Sequence, residues 1–235
     1  SGLGDSLIGE SGDNSIVGNA GADTLVGGAG ADTLLGGLDN DLVAGGFGAD
    51  SMDGGDGVDT LDYASSSAGV SVRLADGGAA GGDATGDVFA NFENLTGSAF
   101  NDTVAGDGGA NILTGGAGHD SVYGALGDDT LIGGDGTDTL QGGGGADSLD
   151  GGSGIDTATY IESTVGVNVN LSTNTGIGGD AQGDTYVLVE NVIGSVENDT
   201  LTGDSVSNVL SGDAGNDLIT AGEGDDTLNG GTGND

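Results

Sequence analysis

The sequence predicts an all-β fold, a parallel β-solenoid of stacked coils, and three observations carry that prediction. A nine-residue period of the form GGxGxDxUx, with U aliphatic, runs through most of the 235 residues. Each unit pairs a glycine-rich stretch, which suits a turn, with a short Thr/Leu/Val stretch, which suits a pleated strand. The chain also has 39 acidic residues against a single base, a formal net charge of -38, which reads as a binding surface for cations.

The first array spans residues 1–62. Its sixth positions are Asp5, Asn14, Asp23, Asp32, Asp41, Asp50 and Asp59, and its eighth are Leu7, Ile16, Leu25, Leu34, Val43, Met52 and Leu61. A second array, 97–159, places Asp102, Asn111, Asp120, Asp129, Asp138, Asp147 and Asp156 at the same step, and a third, 194–235, places Asp199, Asn208, Asp217, Asp226 and Asp235. Two inserts, 63–96 and 160–193, separate the arrays and match one another at an offset of 97 residues: Tyr63 with Tyr160, Val70/Val72/Leu74 with Val167/Val169/Leu171, Glu93-Asn94 with Glu190-Asn191. Asn14, Asn111 and Asn208 superimpose at the same offset, as do Leu3, Phe100 and Glu197 where the fourth-position glycine is lost. The unit of duplication is therefore 97 residues long, and the five segments read as one continuous solenoid. Both ends fall inside repeats, so the reading is of a segment of a longer protein.

One nonapeptide covers one side of a flat coil, two complete an 18-residue turn, and successive coils stack about 4.8 Å apart, so about 13 coils reach roughly 60 Å. Asp23 is then expected above Asp5 on one edge, and Asp32 above Asn14 on the other. Within a unit, GGxGxD is expected as turn and xUx as strand, with only U facing inward. One buried aliphatic per nine ordered residues returns less free energy than the ordering costs. Stacked carboxylates add repulsion. A cation has to make up the difference, and carboxylates with turn carbonyls are the hard oxygen donors that Ca²⁺ prefers. With no cysteine and one histidine, zinc and copper have little to bind, and magnesium demands a stricter octahedron.

These units resemble the RTX, or haemolysin-type, calcium-binding nonapeptide repeats, over about 19 units and everything but the two inserts. The resemblance implies a right-handed parallel β-roll with Ca²⁺ between turns of adjacent coils, export by a type I secretion route and folding triggered by external calcium. The expected carboxylate ligands are the sixth-position aspartates Asp5, Asp23, Asp32, Asp41, Asp50, Asp59, Asp102, Asp120, Asp129, Asp138, Asp147, Asp156, Asp199, Asp217, Asp226 and Asp235. The expected turn carbonyls are those of Gly28, Gly30, Gly37, Gly46, Gly48, Gly116, Gly118, Gly127, Gly134, Gly136, Gly143 and Gly145. Asn14, Asn111 and Asn208 lack the acid and are expected to bind weakly, together with Asp83 and Asp180 in the Gly/Asp loops of the inserts, where a tight turn is an equal reading for Asp83, Asp87, Asp180 and Asp184. Stacked pairs give roughly a dozen ions, enough to bring the net charge down to that of an ordinary soluble surface.

The inserts read as wider coils, with Val70, Val72 and Leu74 inward, Ser71 and Arg73 outward, and Phe89, Phe92 and Leu95 filling the enlarged interior. His119, at the variable fifth position, reads as a solvated turn residue rather than a catalytic base. Neighbouring acids such as Asp128/Asp129 read as a ligand beside a solvent-facing acid rather than an acid/base dyad. The absence of lysine excludes a P-loop, and no Gly-centred 12-residue loop closed by glutamate supports an EF-hand. The acidic balance disfavours nucleic acid and anionic membranes, and no apolar run is long enough to span a bilayer. A threonine ladder at seventh positions reflects strand propensity rather than an ice-binding face.

The function expected is non-catalytic: a calcium-binding structural region of a secreted or cell-surface bacterial protein of adhesin, surface-layer or filament type. The alternative is the C-terminal secretion and folding module of an exported protease or lipase whose catalytic domain lies outside this segment. Expected partners are calcium ions, type I secretion machinery, and self-assembly or cell-surface contacts, without nucleic acid or membrane insertion.

Overall fold

The computed structural model describes residues 2–235. Almost every element is a short β-strand. Two 3₁₀ turns, Gly82–Ala84 and Gly179–Ala181, are the helical elements, and no α-helix occurs among the described residues. The chain forms two compact units, the first running to Asp107 and including Asn111–Gly118, the second comprising Gly108–Ala110 and His119–Asp235.

In the first unit one parallel ladder stacks Leu7, Leu25, Val43, Leu61, Leu95 and Leu113 in register. A second stacks Ile16, Leu34, Met52 and Phe89. Within the arrays the chain alternates between the two every nine residues, so the register step there is the expected 18, lengthening to 34 and 37 where the insert joins. The stacked side chains form the core, with Leu25, Leu34, Val43, Leu61 and Leu95 wholly buried. The second unit repeats the scheme, stacking Leu131, Leu149 and Tyr186 in one ladder and Val122, Leu140, Ala158, Val192, Leu210 and Leu228 in another. Both units are thus parallel β-solenoids.

Strands are longer than the period predicts. Thr24–Ala29, Thr33–Leu38 and Leu42–Phe47 each run on through the two glycines of the next nonapeptide, leaving a turn of about three residues. Parallel stacking pairs backbone with backbone whatever the side chain, so Gly28 lies in register with Gly46. That stacking requires glycine: Gly46 has φ 93°, and a Cβ on it would collide with the Gly28 carbonyl oxygen.

The inserts join the ladders through Val88–Ala90 and Asn94–Thr96 in the first unit and Thr185–Val187 and Asn191–Ile193 in the second. They also carry an element that the period does not predict, an antiparallel hairpin, Ser71–Arg73 with Gly78–Ala80 and Asn168–Asn170 with Thr175–Ile177. Val70, Val72, Phe89, Phe92 and Leu95 are buried as expected, with the two phenyl rings edge to face at 6.3 Å. Leu74 is only half-buried, whereas its counterpart Leu171 is buried, a difference between the two hairpins. Arg73 is exposed and pairs with Asp76 at 3.0 Å, a surface ion pair of little energetic weight.

Candidate metal centre

The sixth-position aspartates line up along the edges of the stacks, and each is tied to the coil before it. The backbone N–H of Asp5 donates to Asp23 Oδ1 at 2.7 Å, that of Asp23 to Asp41 at 2.8 Å, and that of Asp41 to Asp59 at 2.7 Å. On the other edge Asn14 donates to Asp32, and Asp32 to Asp50. The second unit repeats the pattern in Asp120–Asp138–Asp156, Asp129–Asp147 and Asp199–Asp217–Asp235. One carboxylate oxygen thus caps the neighbouring turn. The other, Oδ2, is buried without a hydrogen-bond partner in Asp23, Asp32, Asp41, Asp50, Asp59, Asp120, Asp129, Asp138, Asp147, Asp156 and Asp217. A buried carboxylate oxygen without a donor is costly, and a row of them with no basic residue alongside calls for a cation.

Glycines mark the space beside those oxygens. A Cβ placed on Gly27 would meet Asp32 Oδ2 and the Gly45 carbonyl oxygen, each at 2.5 Å, and one on Gly133 would meet Asp138 Oδ2 at 2.5 Å and the Gly151 carbonyl at 2.6 Å. Carboxylate and carbonyl from successive coils therefore converge on a space that only a missing side chain leaves open. Among the described residues no three Asp, Glu or His side chains converge on one point, so carbonyls have to complete any coordination shell. The donor set, one or two carboxylates with backbone oxygens, suits Ca²⁺.

Placement of the expected residues is uneven. Asp5 and Asp226 are half-buried and Asp235 is exposed, at the ends of their rows. Carbonyls beside the free Oδ2 atoms come from first-position glycines, Gly36, Gly45, Gly54, Gly142 and Gly151, which the sequence reading did not single out. The second- and fourth-position glycines it did name, such as Gly28 and Gly30, stack their carbonyls against Gly46 and Gly48 of the next coil. Asp102 and Asp199 leave neither oxygen free: Ser98 donates its N–H and hydroxyl to Asp102, Ser195 does the same for Asp199, and the amides of Val70 and Val167 add a further bond. Asn111 and Asn208 are buried and donate their side-chain NH₂ to the carbonyls of Glu93 and Glu190, each at 2.7 Å, placing a protein donor where the aspartates of the rows offer none.

In the inserts, Asp83 is buried and donates its backbone N–H to Ser66 Oγ, as Asp180 does to Ser163 Oγ. The residues that continue the rows are Asp87 and Asp184, which cap the amides of Asp50 and Asp147, and whose Oδ2 accepts from the hydroxyls of Tyr63 and Tyr160 at 2.9 and 2.8 Å. Glu93 and Glu190 continue the other rows by capping Asp59 and Asp156. The 97-residue repeat was a signal for these residues, but the 34- and 37-residue steps hid their place in the rows.

Burial pushes the Asp59, Asp87 and Asp156 carboxyls up to about 6 and Asp184 up to about 7, with neighbouring carboxylates adding to the rise. Each value lies above that of an unfolded aspartate, near 3.9. The folded metal-free chain then holds more protons than the unfolded one, and the stabilisation this gives is full below the unfolded value and lost as pH rises through 6 to 7. In chelator, circular dichroism is expected to record more β-structure at pH 5 than at pH 8, and equal spectra at the two pH values would contradict these burials.

His119 is exposed, and its Nδ1 accepts the amide of Thr137 one coil on, the solvated turn role. Asp128 plays the same part for Ala146, facing solvent beside the buried Asp129.

A parallel β-solenoid whose edges carry buried, half-satisfied carboxylates is a metal-binding structural repeat. The chain matches the family described as RTX calcium-binding nonapeptide repeat (4 copies) over residues 1–34, 35–65, 96–131, 123–158 and 202–235, and it belongs to that family. It is a calcium-binding structural repeat region. No curated relative matches it. Among the described residues no helix is long and apolar enough to cross a membrane.

Proposed function

We propose that this chain is a calcium-dependent folding element of a secreted or cell-surface bacterial protein of adhesin, surface-layer or filament type, kept unfolded where calcium is scarce and folding after export through a type I route. The observation that carries the reading is the row of buried aspartate oxygens without donors in a chain with one base. Without metal those rows oppose folding, and with it they join adjacent coils, so one chain has two states set by the calcium on either side of a membrane. Ligands on this reading are the unpaired Oδ2 atoms with the facing glycine carbonyls, roughly a dozen ions in all. The role is mechanical and non-catalytic.

Asp32 and Asn14 test the assignment within one row. Replacing Asp32 with alanine removes both the cap on Asn14 and an unpaired oxygen, and the calcium midpoint for folding should rise about tenfold or more. Asn14→Ala should change it far less, because Asn14 is half-buried and its amide is spent on the Gly12 carbonyl. Calcium titration followed by circular dichroism measures both, and equal shifts would count against the assignment.

A further inference from the structure

At the end of the first and second arrays, the turn facing the last aspartate comes from an insert. We propose that each such junction is a further divalent-cation site, outside the family-matched stretches in its insert-derived half: Asp156 with Glu190 and the Leu188 carbonyl, and 97 residues earlier Asp59 with Glu93 and the Asn91 carbonyl. The inference rests on the calcium reading above and names residues that the nonapeptide pattern does not contain.

Asp156 is wholly buried, and its Oδ2 has no partner. A Cβ on Gly151 would meet that Oδ2 at 2.7 Å and would also collide with the Leu188 carbonyl oxygen, so the two oxygens converge on one glycine-lined space, as Asp138 Oδ2 and the Gly151 carbonyl do inside the array. Glu190 is held against this turn because its Oε2 accepts the Asp156 amide at 2.9 Å, the place that the next aspartate takes elsewhere in the row. The first junction repeats every part: Asp59 wholly buried with Oδ2 unpartnered, Gly54 facing the Asn91 carbonyl, and Glu93 Oε2 on the Asp59 amide at 2.8 Å. Two carboxylates and a carbonyl are hard donors, and the metal they suit is Ca²⁺.

The two junctions differ in one residue that matters. Asn91 donates its side-chain amide to Asp53 Oδ1 at 2.8 Å. Leucine stands at the equivalent position 188, and Asp150 Oδ1 is accordingly buried without a partner, its charge acting on Asp156. The second junction therefore offers more uncompensated negative charge and should hold its ion more tightly.

The test is calcium binding by the full chain, counted by equilibrium dialysis and resolved by titration calorimetry. Glu190→Gln keeps an oxygen for the Asp156 amide and removes the charge, so it should bind one ion fewer than the parent, while Glu223→Gln, at an exposed turn, should match the parent. An unchanged ion count in Glu190→Gln would overturn the proposal. Should Glu190→Gln fail to give a β spectrum in calcium, Asp150→Asn replaces it, since Asp150 caps no turn in the row. A several-fold loss of affinity in one class of site would support the proposal, and an isotherm identical to the parent's would sink it. Calcium uptake by the parent separates the outcomes: none at all would remove the family-wide reading and this one with it, whereas normal uptake with an unchanged Glu190→Gln count would remove this one alone.

Discussion

Chelation of calcium will unfold this chain, and its return at about 10⁻⁴–10⁻³ M, the range of extracellular calcium modules, will restore a β spectrum. The core consists of single aliphatic side chains stacked one per nonapeptide, Leu25 on Val43 and Leu131 on Leu149. Such a column buries little apolar surface for each ordered residue. Against it stand the conformational entropy of a chain with 56 glycines and the mutual repulsion of 39 acids relieved by one base. Eleven row aspartates among the described residues each leave a buried oxygen without a donor. On the proposed reading metal binding would satisfy those oxygens and offset the charge together, so that its free energy is folding free energy. Circular dichroism in excess EDTA and then in millimolar calcium is the measurement. A β spectrum that persists in chelator at neutral pH would show that the aliphatic columns suffice alone.

A single methyl group at Gly133 should remove an ion. Gly133 does not have a positive φ, so alanine can adopt its backbone, and the effect of the substitution is one of space. Its Cβ would lie 2.5 Å from Asp138 Oδ2 and 2.6 Å from the Gly151 carbonyl oxygen, in the space where the cation is proposed to sit. Overpacking alone costs about 1–3 kcal/mol. Loss of the ion adds to that, and dialysis should count one calcium fewer with a raised folding midpoint. Gly108→Ala is the matched control, since a Cβ there has nothing within 4 Å. Equal stability and equal ion counts in the two variants would mean that the space beside Gly133 holds no metal. Gly134 and Gly136 make poorer probes, because at φ 112° and 152° any side chain is strained whether or not metal is bound.

The period alone made the stacking legible. A nine-residue repeat with one aliphatic fixes an 18-residue step, and Leu7, Leu25, Val43 and Leu61 fall in register at that step. It also picked out the aspartates of the rows, because the sixth position closes each turn and its carboxylate reaches the backbone of the preceding coil. Strand ends were misjudged, since glycine has low strand propensity as a residue yet pairs well as stacked backbone. The hairpins escaped notice because Ser71–Arg73 and Gly78–Ala80 lie inside an insert without internal period.

Which carboxylates keep a free oxygen was decided only in three dimensions. Asp32 and Asp102 occupy the same position of the repeat, yet Asp32 leaves Oδ2 unpaired while Ser98 saturates Asp102. Asp87 looks like a loop residue in sequence and meets Tyr63, 24 residues away, across the interior. Glu93 takes a row position that the repeat reserves for aspartate, after a step of 34 residues. The sequence by itself determined the coil, its register and the hard-oxygen chemistry of its edges, because these depend on neighbours nine and 18 residues apart. The tertiary structure decided which oxygens remain for a metal, because hydrogen-bond satisfaction depends on donors that only folding brings within 3 Å.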